Sequence, residues 1–174
     1  MTNDDITKDL PEEIMDRAAK YLAYQPRTRQ ELCRHLRERG ARPEDVQRCA
    51  DLMEEYHLID DLEYARMYIE SRLESGRGMA RIRRELQQKG VSAFVIEDAA
   101  ALLEEIPDEY ENALQQAEAA IAGEDLRSMD YADKRKLMGR ISGRLVRRGY
   151  RTQTVYSAVR TAFARREEAQ QDEE

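Results

Sequence analysis

The apolar positions of the chain fall into groups with helical spacing. Leu32 and Leu36, Ile82 and Leu86, and Ile141 and Leu145 are each four residues apart, so each pair shares one helix face. In all three cases a glycine stands four residues after the second member, at Gly40, Gly90 and Gly149. A further aliphatic residue stands six after each glycine, at Val46, Ile96 and Val155. Arg39, Lys89 and Arg148 immediately precede the glycines, where the negative end of a helix dipole favours positive charge. Glycine ends a helix because it enters the left-handed region without a Cβ penalty. The glycines are 50 and 59 residues apart, so the chain repeats one unit: helix, glycine stop, short connection, second helix. No segment alternates in the manner of a strand.

Helix starts are marked as well. Thr28 with Glu31 fits a capping box, and Asp60 with Glu63 fits the same logic with Asp as the cap. Ser92 and Thr152 suit N-caps, and Pro11, Pro43 and Pro107 suit first turns. These signals predict nine helices in three sets of three: Pro11–Tyr24, Thr28–Arg39 and Pro43–Tyr56; Asp61–Ser75, Gly78–Lys89 and Ser92–Glu105; Pro107–Ala122, Tyr131–Arg148 and Thr152–Arg166. The expected fold is all-α, with three tandem three-helix repeats forming an elongated, curved array. A unit of about 50 residues has a small core of its own, so stacked neighbours share apolar surface. The expected boundaries are an acidic N-terminal tail over 1–10, repeats over 11–58, 59–106 and 107–166, and an acidic C-terminal tail over 167–174, with Gly123–Asp130 as a linker.

Composition narrows the function. No stretch approaches 18 apolar residues, so no membrane span is expected, and Met1–Pro11 lacks the apolar core of a secretion signal. Cys33 and Cys49 are too few for a disulfide framework and read as free thiols in a reducing cytoplasm. Nothing points to catalysis, a cofactor or a metal. His35 and His57 sit in no metal motif, and Cys33 and His35, two apart, point to different helix faces. Gly76 and Gly78 bracket Arg77 without a preceding strand, which fits a turn between helices better than a nucleotide loop.

The charge is sorted along the chain. The net charge is -7 overall. Met1–Glu13 contributes -4 and Glu167–Glu174 contributes -5, leaving +2 for the body. Within that body, Arg27–Arg42 and Gly76–Gly90 each carry +4, and Lys134–Arg151 carries eight basic residues with no acidic one. Glu44–Glu74 carries -7, and Val91–Leu126 carries ten acidic residues with no basic one. For the first two basic blocks, attraction to a neighbouring acidic helix explains the pattern as well as function does. Lys134–Arg151 points to an external anion, because eight like charges repel one another without one. Arginine outnumbers lysine 24 to 5, and its planar fork suits phosphate or carboxylate.

The run Ile59-Asp60-Asp61, Tyr64-Ala65, Arg72, Gly76, Gly78, Arg81-Ile82, Glu85-Leu86 and Lys89-Gly90-Val91 resembles the central motif of the RecX family of bacterial recombination regulators. Pro26-Arg27-Thr28 with Glu31-Leu32 and Leu36 resembles that family's first repeat, and Leu145 to Tyr150 with Val155 resembles its third. The family usually has Gly-Tyr before Ile-Asp-Asp where this chain has His57-Leu58. Histidine tolerates the left-handed conformation, so the turn is expected to survive.

The resemblance implies three tandem three-helix repeats. It also implies a non-enzymatic, monomeric cytoplasmic protein that binds the RecA recombinase in the groove of its filament on single-stranded DNA. Such a protein would modulate RecA, mostly negatively, in ATP hydrolysis, strand exchange and coprotease activity during repair and the SOS response. The candidate contacts, to RecA or to DNA phosphate, are Arg81, Arg84 and Lys89 with Lys134, Lys136, Arg140, Arg144, Arg147 and Arg148. Arg27 is expected to pair with Asp60 or Glu31, and Arg81 with Glu85. The alternative is a helical protein acting mainly through DNA backbone phosphates.

Overall fold

A computed structural model describes residues 10–103 and 106–172, and among these it contains nine helices and no strand. The helices are α1 (Glu12–Tyr24), α2 (Arg29–Glu38), α3 (Pro43–Glu55), α4 (Asp61–Glu74), α5 (Met79–Gln88), α6 (Ala93–Ala101), α7 (Glu109–Ile121), α8 (Tyr131–Arg148) and α9 (Thr152–Asp172). The predicted acidic segment before Leu10 and the predicted end of α6 at Glu105 lie outside the described residues.

The local signals act as their chemistry requires. The Thr28 side chain accepts the Glu31 N–H while the Glu31 carboxylate accepts the Thr28 N–H, a complete capping box. Asp60 accepts the Glu63 N–H at 2.9 Å, and Ser92 accepts that of Val95. Asp108 caps α7 by accepting two N–H groups, so Pro107 precedes the cap instead of opening the helix. His57 takes a φ of +55° at the turn before α4, the conformation the family resemblance required of it.

Two predicted boundaries are corrected. Residues 167–172 are not a tail, because α9 continues through them. No glycine or proline follows Arg166, and the Arg, Glu, Ala and Gln residues there are good helix formers. Gln170 is buried, accepts the Leu126 N–H and donates to the Glu124 carbonyl. Those same bonds make Gly123–Asp130 a packed connection around the fully buried Leu126, in place of a linker.

The chain forms two compact units. One comprises the residues up to Tyr68 with Glu85–Leu103, and the other comprises Ile69–Arg84 with the residues after Leu103. The first is centred on Ile14, Ala18, Leu32, Leu36, Val46, Cys49, Met53 and Ile59. The second is centred on Leu114, Ile121, Leu126, Leu137, Ile141, Leu145, Val155, Val159 and Phe163. Each such aliphatic side chain contributes about 1.5–3 kcal/mol on burial.

Each unit contains the same joint. In the first, the start of α2 meets the glycine end of α5: the buried Thr28 hydroxyl donates to the Lys89 carbonyl at 2.6 Å, and a Cβ on Gly90 would collide with Gln30. In the second, the start of α5 meets the glycine end of α8. There the Gly78 N–H donates to the Arg148 carbonyl at 2.9 Å, and Arg81 donates to the Arg147 carbonyl at 2.9 Å. Gly78 and Gly149 approach so closely that a Cβ on either would enter the other's backbone. Gly76 and Gly78 therefore belong to a helix-to-helix turn.

The third set of helices is longer than the others. Thr28 and Gly78 lie twelve residues before their glycines and open their helices. The corresponding residue of α8 is Leu137, buried in mid-helix, because α8 has 18 residues against 10 for α2 and α5.

Candidate partner-binding surface

Helix α8 carries most of the sequence-predicted site. Asp130 caps its start by accepting the Asp133 N–H, and Gly149 closes its end at a φ of +99°. Leu137, Ile141 and Leu145 fix its inner face, and this determines where its cations point. Lys136, Arg140, Arg144 and Arg147 follow one another at helical spacing on the outer side and are all exposed. Arg140 is 3.6 Å from Glu124, an ion pair weakened by a side chain that is 73% exposed. Lys136, Arg144 and Arg147 have no side-chain hydrogen bond or ion pair among the described residues. Gly139 is also exposed on α8, with nothing within 4 Å of where its Cβ would be.

The other nominated residues divide. Lys134 pairs with Glu167 of α9 at 2.6 Å, and the half-buried Arg148 bonds Gln116 of α7, so both hold the second unit together. Arg81 is spent on the α8 carbonyl at the joint. Lys89 pairs with Glu31 at 3.0 Å and lies 5.7 and 5.9 Å from the Tyr64 and Tyr68 rings. Burial by itself lowers the Lys89 pKa, but bonding to Glu31 and Tyr64 outweighs that effect and raises it, so this cation belongs to an internal cluster. Arg84 remains exposed on α5. Glu85 accepts the Tyr68 hydroxyl at 2.9 Å.

The first basic block is neutralised only in part within its own unit, since Arg34 and Arg37 are exposed on α2 with no side-chain hydrogen bond or ion pair among the described residues. Arg29 reaches Asp51 and Glu54 of α3 at 2.5 Å each, and Arg42 reaches Asp45 at 2.9 Å. Arg27 pairs with neither Asp60 nor Glu31. Its guanidinium lies 4.5 Å above the Tyr21 ring, because Asp60 caps α4 and Glu31 is committed to its cap and to Lys89.

Cys49 and His35 are held away from reactive states. Burial pushes the Cys49 thiol up to about 11, away from the reactive thiolate. His35 stacks on Tyr21 at 3.8 Å, and its Nδ1 faces the Arg39 guanidinium at 3.0 Å. Burial first, and then the Arg39 charge, lower its pKa. Among the described residues no group of three His, Cys, Asp or Glu could hold a metal, and no helix is long and apolar enough to cross a membrane. The surface offers binding by charge and shape.

Comparison with known proteins agrees with this architecture. The first three-helix domain of RecX matches residues 15–51, and the second matches residues 60–99. The Regulatory protein RecX of Prosthecochloris aestuarii is 31% identical over 142 residues, covering 81% of this chain and 87% of that protein. The chain belongs to the RecX family. The Regulatory protein RecX of Streptomyces coelicolor is 34% identical over 140 residues, covering 79% of this chain and 71% of that protein. The crystal structure of RecX from Lactobacillus salivarius superposes with a TM-score of 0.71 at 22% identity, covering 94% of this chain and 99% of that one, which shows the shared fold. The Prosthecochloris and Streptomyces relatives are named as regulatory proteins.

The residues that sequence reasoning missed lie between α8 and α9. Arg135, Arg160 and Phe163 line a groove there with Tyr131. The basic run of α8 included Arg135, but nothing in a linear reading brings Arg160 beside it.

Proposed function

We propose that this RecX-family chain binds RecA filaments on single-stranded DNA in the cytoplasm and restrains their ATP hydrolysis, strand exchange and coprotease activity. The observation that carries the reading is the exposed ridge of Lys136, Arg140, Arg144 and Arg147, three of which have no internal counter-charge. Four cations on one helix have their backbone positions fixed in advance, so docking has to order only their side chains, at about 0.5–1.5 kcal/mol each. Arg84 is the remaining exposed candidate on α5. Lys89, Lys134, Arg81 and Arg148 support the scaffold.

The test is RecA ATPase on single-stranded DNA with and without the chain. Inhibition is expected, and an unchanged rate at several-fold molar excess overturns the reading. Reversing Lys136, Arg140 and Arg144 to Glu should raise the concentration needed for inhibition about tenfold or more, with helicity retained. The same ridge also fits DNA phosphates. If DNA alone is the target, binding falls steeply with salt and persists without RecA, whereas a specific protein interface loses less.

A further inference from the structure

The third set of helices carries length that its joint does not use. Besides the added turns of α8, α9 runs for 21 residues where α3 has 13 and α6 has 9. The ion pair between Lys134 and Glu167 ties these extensions together. Between them lies a groove of about 530 Å³ lined by that ion pair together with Tyr131, Arg135, Met138, Arg160, Phe163 and Ala164. Its floor is apolar, from the buried Phe163 and the half-buried Met138, and Tyr131 stands at one edge with 81% of its surface exposed. Arg135 and Arg160 are exposed at the rim, with no side-chain hydrogen bond or ion pair among the described residues. An apolar floor beneath two guanidinium groups fits an apolar side chain carried beside a carboxylate.

Helix α6 presents that chemistry. Phe94, Asp98, Ala101 and Leu102 follow helical spacing on one face and are all exposed, Phe94 by 75% and Leu102 by 58%. The segment Val91–Leu126 contains no basic residue, so its charge is uniformly negative. The stripe from Phe94 to Leu102 is about 12 Å long, and Tyr131 to Met138 spans about 10 Å, so the two features match in length.

We propose that α6 of one copy docks into the α8–α9 groove of a second copy. Phe94 and Leu102 bear on Met138, Phe163 and Tyr131, and Asp98 meets Arg135 and Arg160. The two faces differ, so the contact is head-to-tail and propagates along a series of copies unless its geometry closes a ring. The contact rests on a handful of side chains, against the roughly 20–30 residues a side of a standard interface, so a dilute chain stays monomeric. Association grows where copies are crowded, because a common support raises the effective concentration to about the millimolar range. The proposal concerns the free chain and is independent of the RecA reading.

Sedimentation of the full chain tests it. The weight-average mass should rise between about 10 μM and about 1 mM, the range in which a small interface associates. Phe94→Asp, Asp98→Arg, or Arg135→Glu with Arg160→Glu should each weaken association at least about tenfold. All four positions are exposed, and circular dichroism confirms retained helicity. Mixing the Asp98→Arg chain with the Arg135→Glu, Arg160→Glu chain should restore association, because each reversed face then meets its opposite. A wild-type mass of one chain throughout, association that the variants leave unchanged, or a mixture that stays dispersed overturns the proposal. So does a monomeric wild type whose groove, but not that of the Arg135→Glu, Arg160→Glu variant, binds a dT oligonucleotide, which assigns the groove to nucleic acid. Dispersed variants that still inhibit RecA leave the RecA reading standing.

Discussion

Arg29 on α2 meets Asp51 and Glu54 of α3 at 2.5 Å each, whereas Lys136, Arg144 and Arg147 on α8 meet no carboxylate among the described residues. Both helices follow the same pattern of paired aliphatics, a basic last turn and a glycine stop. The difference lies in what packs beside them. Helix α3 carries Glu44, Asp45, Asp51 and Glu54, and its charge is drawn onto α2 and Arg42. The acids around α8 are divided between it and α9, with Glu124 meeting Arg140 of α8 at 3.6 Å. Glu109 pairs with Arg151, Glu118 with Arg165, and Glu167 with Lys134. Tertiary neighbours thus decide which cations of a basic run are paired, as Arg29 is, and which stay open to solvent, as Arg144 does.

The strongest test of this contrast compares the two glycine stops. Gly149 has a φ of +99°, and a Cβ there would collide with Arg81 and the Gly78 carbonyl. Gly149→Ala should therefore cost about 3 kcal/mol, from the left-handed backbone and the clash together. Gly40 has a φ of +84° with open space around it, so Gly40→Ala should cost about 1 kcal/mol. Chemical denaturation reads both, and equal losses would show that the α5–α8 joint is not close-packed.

Charge reversal gives the next effect. Arg144→Glu with Arg147→Glu should raise the concentration needed to inhibit RecA ATPase about tenfold, while Arg34→Glu with Arg37→Glu on the exposed side of α2 should change it less than about twofold. Comparable effects would remove the distinction between the two helices. A smaller difference is expected in stability. Arg29→Met should cost about 1 kcal/mol, since its partners are largely solvated, and Arg144→Met should stay within about 0.5 kcal/mol. Urea midpoints measured on both variants decide this.

The smallest effect is a pH dependence confined to α2. Burial and the Arg39 charge hold His35 below its ordinary value of 6.5 in the folded chain. As the pH falls below about 6.5 the unfolded chain takes the proton first, so stability declines until the pH passes the folded value. His35→Gln should remove that component from the urea midpoint between about pH 8 and about pH 5, and an unchanged profile would show that His35 contributes nothing to it.

Much of the scaffold was legible because its signals are local. The capping box at Thr28, the caps at Asp60 and Ser92, and the stops at Gly40, Gly90 and Gly149 each act within a few residues. The end of α9 was misread because charge alone suggested a tail, while helix propensity and the Gln170 bonds to the Gly123–Asp130 connection carry the helix onward. The site was legible only in outline. Lys89 and Arg148 look like free cations in the sequence, but Glu31 and Gln116, 58 and 32 residues away, engage them.

By itself, the sequence determined an all-α chain, a repeated unit closed by glycine, the RecX family and the helix richest in positive charge. The family follows from the resemblance of its motifs, and the rest from periodicity, capping and composition, which depend on near neighbours. Tertiary structure alone decided which cations remain available, why Gly78 and Gly149 must both lack a Cβ, and that Arg135 and Arg160 share a groove. Those outcomes depend on residues far apart in the chain being brought within a few ångströms, where desolvation and Coulomb attraction act.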